Sequence, residues 1–194
     1  MKRITLLIVL CCFVANAQKE NVPSTARLFI EKAQKTRINK DWTLIANFKS
    51  GIGETVDFYP VQIIDLKTNE KTNALQLDME VVDFVGGLKG NQKLNLSAWV
   101  GLDEVDEFIN FIEDNIIPNL DVKYKKKSSE FIFKAKEITL SYIIDEKRRR
   151  LTISLNNYNQ KGGLSNDFWT EARVDNFPDL VDILKKVKSK ELKF

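Results

Sequence analysis

Within residues 74–82, Ala-Leu-Gln-Leu-Asp-Met-Glu-Val-Val, the stretch Leu75 to Val81 alternates apolar and polar side chains without a break, and residues 94–100, Leu-Asn-Leu-Ser-Ala-Trp-Val, keep the same period with Trp99 at a polar place. A period of two is the signature of a strand with one covered and one wetter face. Immediately afterwards the period changes. Leu102, Val105, Phe108, Ile109, Ile112 and Ile116 fall at helical spacing, which predicts an amphipathic helix from about Asp103. Asp103 is the expected N-cap, and the carboxylates of Asp103, Glu104, Asp106 and Glu107 suit the positive end of the helix dipole. A chain that switches period in this way has to put a helix on the covered face of a sheet.

The same order recurs in the second half. Residues 151–155, Leu-Thr-Ile-Ser-Leu, alternate, residues 167–174, Asp-Phe-Trp-Thr-Glu-Ala-Arg-Val, follow as another strand, and Phe177, Leu180, Val181, Leu184 and Val187 form a helical stripe after Asp175. Sliding the chain by 76 residues sets Leu75 on Leu151 and Gly86-Gly87-Leu88 on Gly162-Gly163-Leu164, and an offset of 72 sets Asp103 on Asp175. The pattern predicts an α+β fold of two tandem four-strand-plus-helix repeats, 41–117 and 118–194. They would form one antiparallel sheet of about eight strands with the helices on one face. Residues 24–38 add an N-terminal helix with Ser24 or Thr25 as its cap. Pro60 lies inside a strand-like run and marks an edge or a bulge. As an arrangement only, the tandem unit resembles that of the β-lactamase inhibitor protein and, more loosely, TATA-binding protein. No residue motif of either is present, so no function follows from the shape.

The first residues have the three parts of a secretory signal: Lys2 and Arg3, an apolar stretch from Ile4 to Val14, and Ala15-Asn16-Ala17. The reading is cleavage after Ala17 and a secreted or periplasmic single domain, 18–194. The apolar stretch is shorter than the ~20 residues that span a bilayer. Cys11 and Cys12 lack the small residue that precedes an acylated cysteine, so lipid anchoring fits less well. Beyond Gln18 there is neither cysteine nor histidine. That removes disulfides, thiolate chemistry, Ser-His and Cys-His nucleophile pairs, and imidazole metal ligands. No Gly-rich phosphate loop is present, and no cofactor or metal site is expected.

Alternation also assigns the second sheet face. It carries Gln76, Asp78, Glu80, Asn95, Ser97 and Trp99 in the first half. In the second half it carries Thr152, Ser154, Asn156, Tyr158, Asp167, Trp169, Glu171 and Arg173. An exposed Trp is either covered or used, and Trp, Tyr and Arg are the residues that anchor interfaces. The candidate binding residues are therefore Trp99 and Trp169 with Tyr158, Glu171 and Arg173. No catalytic residues nominate themselves. The functional expectation is a non-enzymatic binding module for a protein or other envelope macromolecule. The alternatives are a hydrolase using paired carboxylates and a carrier of a small apolar ligand held between sheet and helices.

Charge is unevenly spread. Residues 18–117 hold 11 basic and 16 acidic side chains, a net of −5, and residues 118–194 hold 17 and 11, a net of +6. This asymmetry suits self-association between oppositely charged halves. The basic runs at 123–127 and 146–150 flank what reads as one long strand, 131–143, which sends them to opposite edges. Nucleic acid is therefore not an expected partner.

Overall fold

The computed structural model describes residues 22–83, 92–156, 167–171, 174–189, 192 and 194. The expected signal segment and the Gly-Gly turns at 86–87 and 162–163 lie outside the described residues. The chain is a mixed α+β protein. In order it forms α1 (Thr25–Lys32), β1 (Thr36–Lys40), β2 (Ala46–Lys49), β3 (Thr55–Asp65), β4 (Lys71–Asp83) and β5 (Gln92–Gly101). There follow α2 (Leu102–Phe111), β6 (Ser129–Lys134), β7 (Ile138–Ile144), β8 (Arg149–Leu155), β9 (Asp167–Thr170) and α3 (Phe177–Ser189). All strand pairs are antiparallel.

Among the described residues nine strands divide into two sheets instead of one. The first has the order β1-β3-β4-β5, with β2 beside β1 on the same flank of β3, and the second has the order β6-β7-β8-β9. Both inward faces follow the alternation. Leu75, Leu77, Met79, Val81, Ala98 and Val100 from the first sheet and Leu151, Ile153, Leu155 and Phe168 from the second are buried in one continuous core. The α2 and α3 stripes enter the same core, and α3 packs on β2, β3 and β4 of the first sheet. Phe177 of α3 meets Phe48 of β2 at 5.4 Å and Tyr142 of β7 at 5.6 Å between ring centroids. Phe133 of β6 stacks on Phe108 of α2 at 4.6 Å. The inward faces of the two sheets share this core.

The expected helix 24–38 ends early. Ser24 caps it, its Oγ accepting from Arg27 N at 3.1 Å, but the backbone turns extended at Ala33 and residues 36–40 pair with β3. Thr36 and Ile38 are β-branched, and a waiting strand edge decides what an isolated segment would not. Of residues 41–49 only 46–49 are extended, as β2. Pro60 is not at an edge, since β4 flanks it on one side. On the other side it falls at the gap between β1 and β2, where a missing N–H breaks no ladder. Helix α2 is capped by Gly101, not Asp103. A side chain at Gly101 would meet Thr25 Oγ1 at 2.0 Å, so glycine there lets α1 approach. Asp103 instead accepts from Thr25 Oγ1 at 2.5 Å and Lys136 Nζ at 2.5 Å.

The run 131–143 is a hairpin and not one strand. Nothing in Ala135-Lys136-Glu137 signals a turn; remote side chains build it. Asn156 Nδ2 donates to the carbonyls of Ala135 and Lys136 at 2.9 and 3.1 Å, and Lys136 N donates to Glu104 Oε1 at 2.6 Å. The fold-back pairs Ser129 with Ile144. The two basic runs therefore meet at one end of the second sheet, against the expectation of opposite edges.

Candidate functional site

The two outer sheet faces have different fates. On the first sheet, α1 lies over the half that carries Val61, Ile63, Ala74 and Trp99, and these form a small second core with Ala26 and Tyr59. Trp99 does sit on the face away from α2 and α3, as alternation requires, but it is only 7% exposed. It is a packing residue, not an accessible anchor. Helices thus cover parts of both faces of this sheet.

What holds α1 down is a carboxylate from the other half of the chain. Glu137, 1% exposed, accepts from Ser24 N at 3.1 Å and Oγ at 2.7 Å, Arg27 Nε at 2.9 Å and Nη2 at 2.6 Å, and Trp99 N at 3.0 Å. The other buried carboxylates are similarly engaged. Glu54 accepts from Val82 N at 3.1 Å, and Glu104 accepts from Lys136 N and Gly101 N. Burial pushes the Glu104 carboxyl above its ordinary range despite those amides. Carboxylates spent on backbone donors in this way are structural. Among the described residues no group of three or more acidic side chains could hold a metal ion.

The outer face of the second sheet carries the remaining candidates. The register aligns Ile132, Ser141, Thr152 and Trp169 in one row across all four strands, and none of the four is buried. Ile132 is 49% exposed and Trp169 is 46% exposed. They stand three strand spacings apart, roughly 14 Å. The flanking positions are Glu130, Ile143 and Arg150 on one side and Lys134, Thr139, Ser154 and Asp167 on the other. Arg150 places its guanidinium 5.2 Å from the Trp169 ring centre and donates to Glu171 Oε1 from Nε at 3.2 Å and Nη2 at 2.8 Å. The carboxylate and the indole together fix the Arg150 fork. Of the residues nominated with Trp169, Glu171 is thus brought to it, while Tyr158 and Arg173 lie outside the described residues.

One exposed tryptophan escaped the sequence reading. Trp42, 64% exposed, sits in the turn between β1 and β2, edge-on to Tyr59 at 5.1 Å. Lys40 Nζ lies 4.9 Å from its ring centre, 4.6 Å from that of Tyr59, and donates to Asp78 Oδ2 at 2.5 Å. Burial, and then the nearby Asp57 carboxylate, push the Tyr59 phenol up to about 12. The signal was available. Asp41 accepts from Thr43 N at 2.9 Å and Thr43 Oγ1 at 2.6 Å, and Asp-x-Thr is a turn-forming spacing. On the other side of the same loop, Leu44, Ile45 and Ile183 floor a groove of about 510 Å³.

The opposite charges of the two halves are partly spent inside the molecule. Lys185 and Lys188 of α3 pair with Glu113 and Asp106 at 2.6 Å each, and Lys136 pairs with Asp103. No described helix is long and apolar enough to cross a membrane. No protein-family model matches the sequence, and no curated protein matches it.

Proposed function

We propose that the chain is an exported, non-enzymatic binding module that recognises a protein or other envelope macromolecule through the outer face of its second sheet. The observation that carries this reading is the uncovered row Ile132-Ser141-Thr152-Trp169, with a half-exposed apolar anchor at each end. An apolar centre flanked by Arg150, Glu171, Lys134 and Asp167 has the make-up of a recognition surface, in which Trp and Arg supply most of the affinity. Export is supported by the signal-like residues 2–17.

The test is capture from an envelope fraction with the wild-type chain and with Ile132→Ser/Trp169→Ser as parallel baits. The expected result is a partner retained by the first and lost by the second, while both baits melt cooperatively at similar temperatures. Recovery of the same proteins by both baits would remove this face from the function.

A further inference from the structure

We infer that the end of the second sheet formed by the β7–β8 turn and the start of β6 docks on an anionic lipid surface. This goes beyond the proposed recognition face and does not depend on it. The hairpin brings residues 121–128 and 145–150 together, and Lys126, Lys127, Ser128 and Asp145 to Arg148 line one open hollow of about 620 Å³. These two segments hold eight basic and three acidic residues, a net of +5, against +6 for the whole of 118–194. Nearly all the excess charge of the basic half is thus gathered at one tip. Arg148 is tied to Asp145 and Arg150 to Glu171. Among the described residues Lys123, Lys125, Lys126, Lys127, Lys147 and Arg149 have no ion-pair partner, and all but Arg149 are exposed.

A concentration of unpaired cations on exposed turns is favoured by a surface that spreads its negative charge. Each Lys or Arg near an anionic bilayer strengthens partitioning about fivefold. Nucleic acid fits the same charge less well. Single strands need an aromatic platform, and Tyr124, the one aromatic residue in these segments, packs against the core and points its hydroxyl at Asn119. Two of the three arginines, whose forks would grip phosphates, are held by carboxylates. Five of the eight cations are lysines, which act as point charges. With this tip on a membrane the second sheet stands off the surface, leaving the Trp169 face open at its side.

The test is co-sedimentation of the full chain with phosphatidylcholine vesicles, with or without phosphatidylglycerol, at roughly 0.1 M and 1 M salt. The wild type should partition to the phosphatidylglycerol vesicles at low salt, and not at high salt or to phosphatidylcholine alone. Lys125→Gln/Lys127→Gln and Lys123→Gln/Lys147→Gln should each weaken partitioning about 25-fold with unchanged thermal melts, since these side chains are exposed. Three results would overturn the inference. These are no partitioning by the wild type, partitioning by either variant equal to that of the wild type, or a complex with duplex DNA tighter than that with the vesicles.

Discussion

Replacing Glu137 with Ala should cost the protein more than any other single carboxylate. The side chain accepts five hydrogen bonds, from Ser24, Arg27 and the Trp99 amide, and it is almost fully buried. Removing one partner of a buried ion pair costs about 3–5 kcal/mol. Arg27 retains 17% side-chain exposure, so part of its charge can be rehydrated, which favours the lower end. The buried amides of Ser24 and Trp99 cannot escape in that way, and each orphaned donor costs about 1–3 kcal/mol. These losses overlap, and a net of about 3–4 kcal/mol is expected. For a chain of this size that lowers Tm by about 10 °C. Urea unfolding followed by circular dichroism gives the free energy, and tryptophan emission gives the local consequence. Loosening of α1 should wet Trp99 and shift its emission to the red before the main transition. Arg27→Ala should also be destabilising, and the double variant should fall short of additivity by at least about 1 kcal/mol. A Glu137→Ala cost below about 1 kcal/mol, or strict additivity with Arg27→Ala, would refute the view that this carboxylate fastens the N-terminal helix.

The two tryptophans first paired by sequence should separate in stability. Trp99→Ser empties a site among Ala26, Tyr59, Val61, Ile63 and Ala74 and should cost about 3–5 kcal/mol in urea unfolding, whereas Trp169→Ser loses an exposed cation-π contact of about 0.5–1 kcal/mol. Phenolate absorbance should show the Tyr59 phenol ionising near pH 12, and Tyr59→Phe should remove one phenol from the late rise, which Tyr142, also raised by burial, shares. Because the folded state favours the neutral phenol, this contribution to stability is complete below pH 10 and is lost as pH rises toward 12. A Tyr59 step at ordinary pH would contradict the buried placement.

Much of the fold was legible because burial on a strand or helix follows a local period. Leu75, Leu77, Met79 and Val81 on β4, and Phe177, Leu180, Val181, Leu184 and Val187 on α3, are buried where the alternation and the helical stripe put them. Trp99 and Trp169 occupy the predicted face for the same reason. The period says which face a residue is on, but not what lies over that face. The answer for Trp99 came from α1, whose path was obscured because the last three residues of the expected helix, 36–38, became part of β1. The acids of α2 were only partly a matter of capping. Asp106 answers Lys188 of α3, and Glu113, just past the end of α2, answers Lys185, and no spacing in α2 reveals that neighbour.

Local residue spacing was enough to give the α+β class, the antiparallel strands, the inward faces of the sheets and the stripes of the two covering helices. These properties depend on residues a few positions apart. Contacts between distant parts of the chain set the rest: two sheets around one shared core, Trp99 covered while Trp169 is not, and the basic runs brought together. Each of those outcomes turns on the bend at 135–137. Its backbone is satisfied by Asn156 and Glu104 and its Glu137 reaches Ser24, Arg27 and Trp99. A turn made by side chains from elsewhere in the chain leaves no mark in its own three residues.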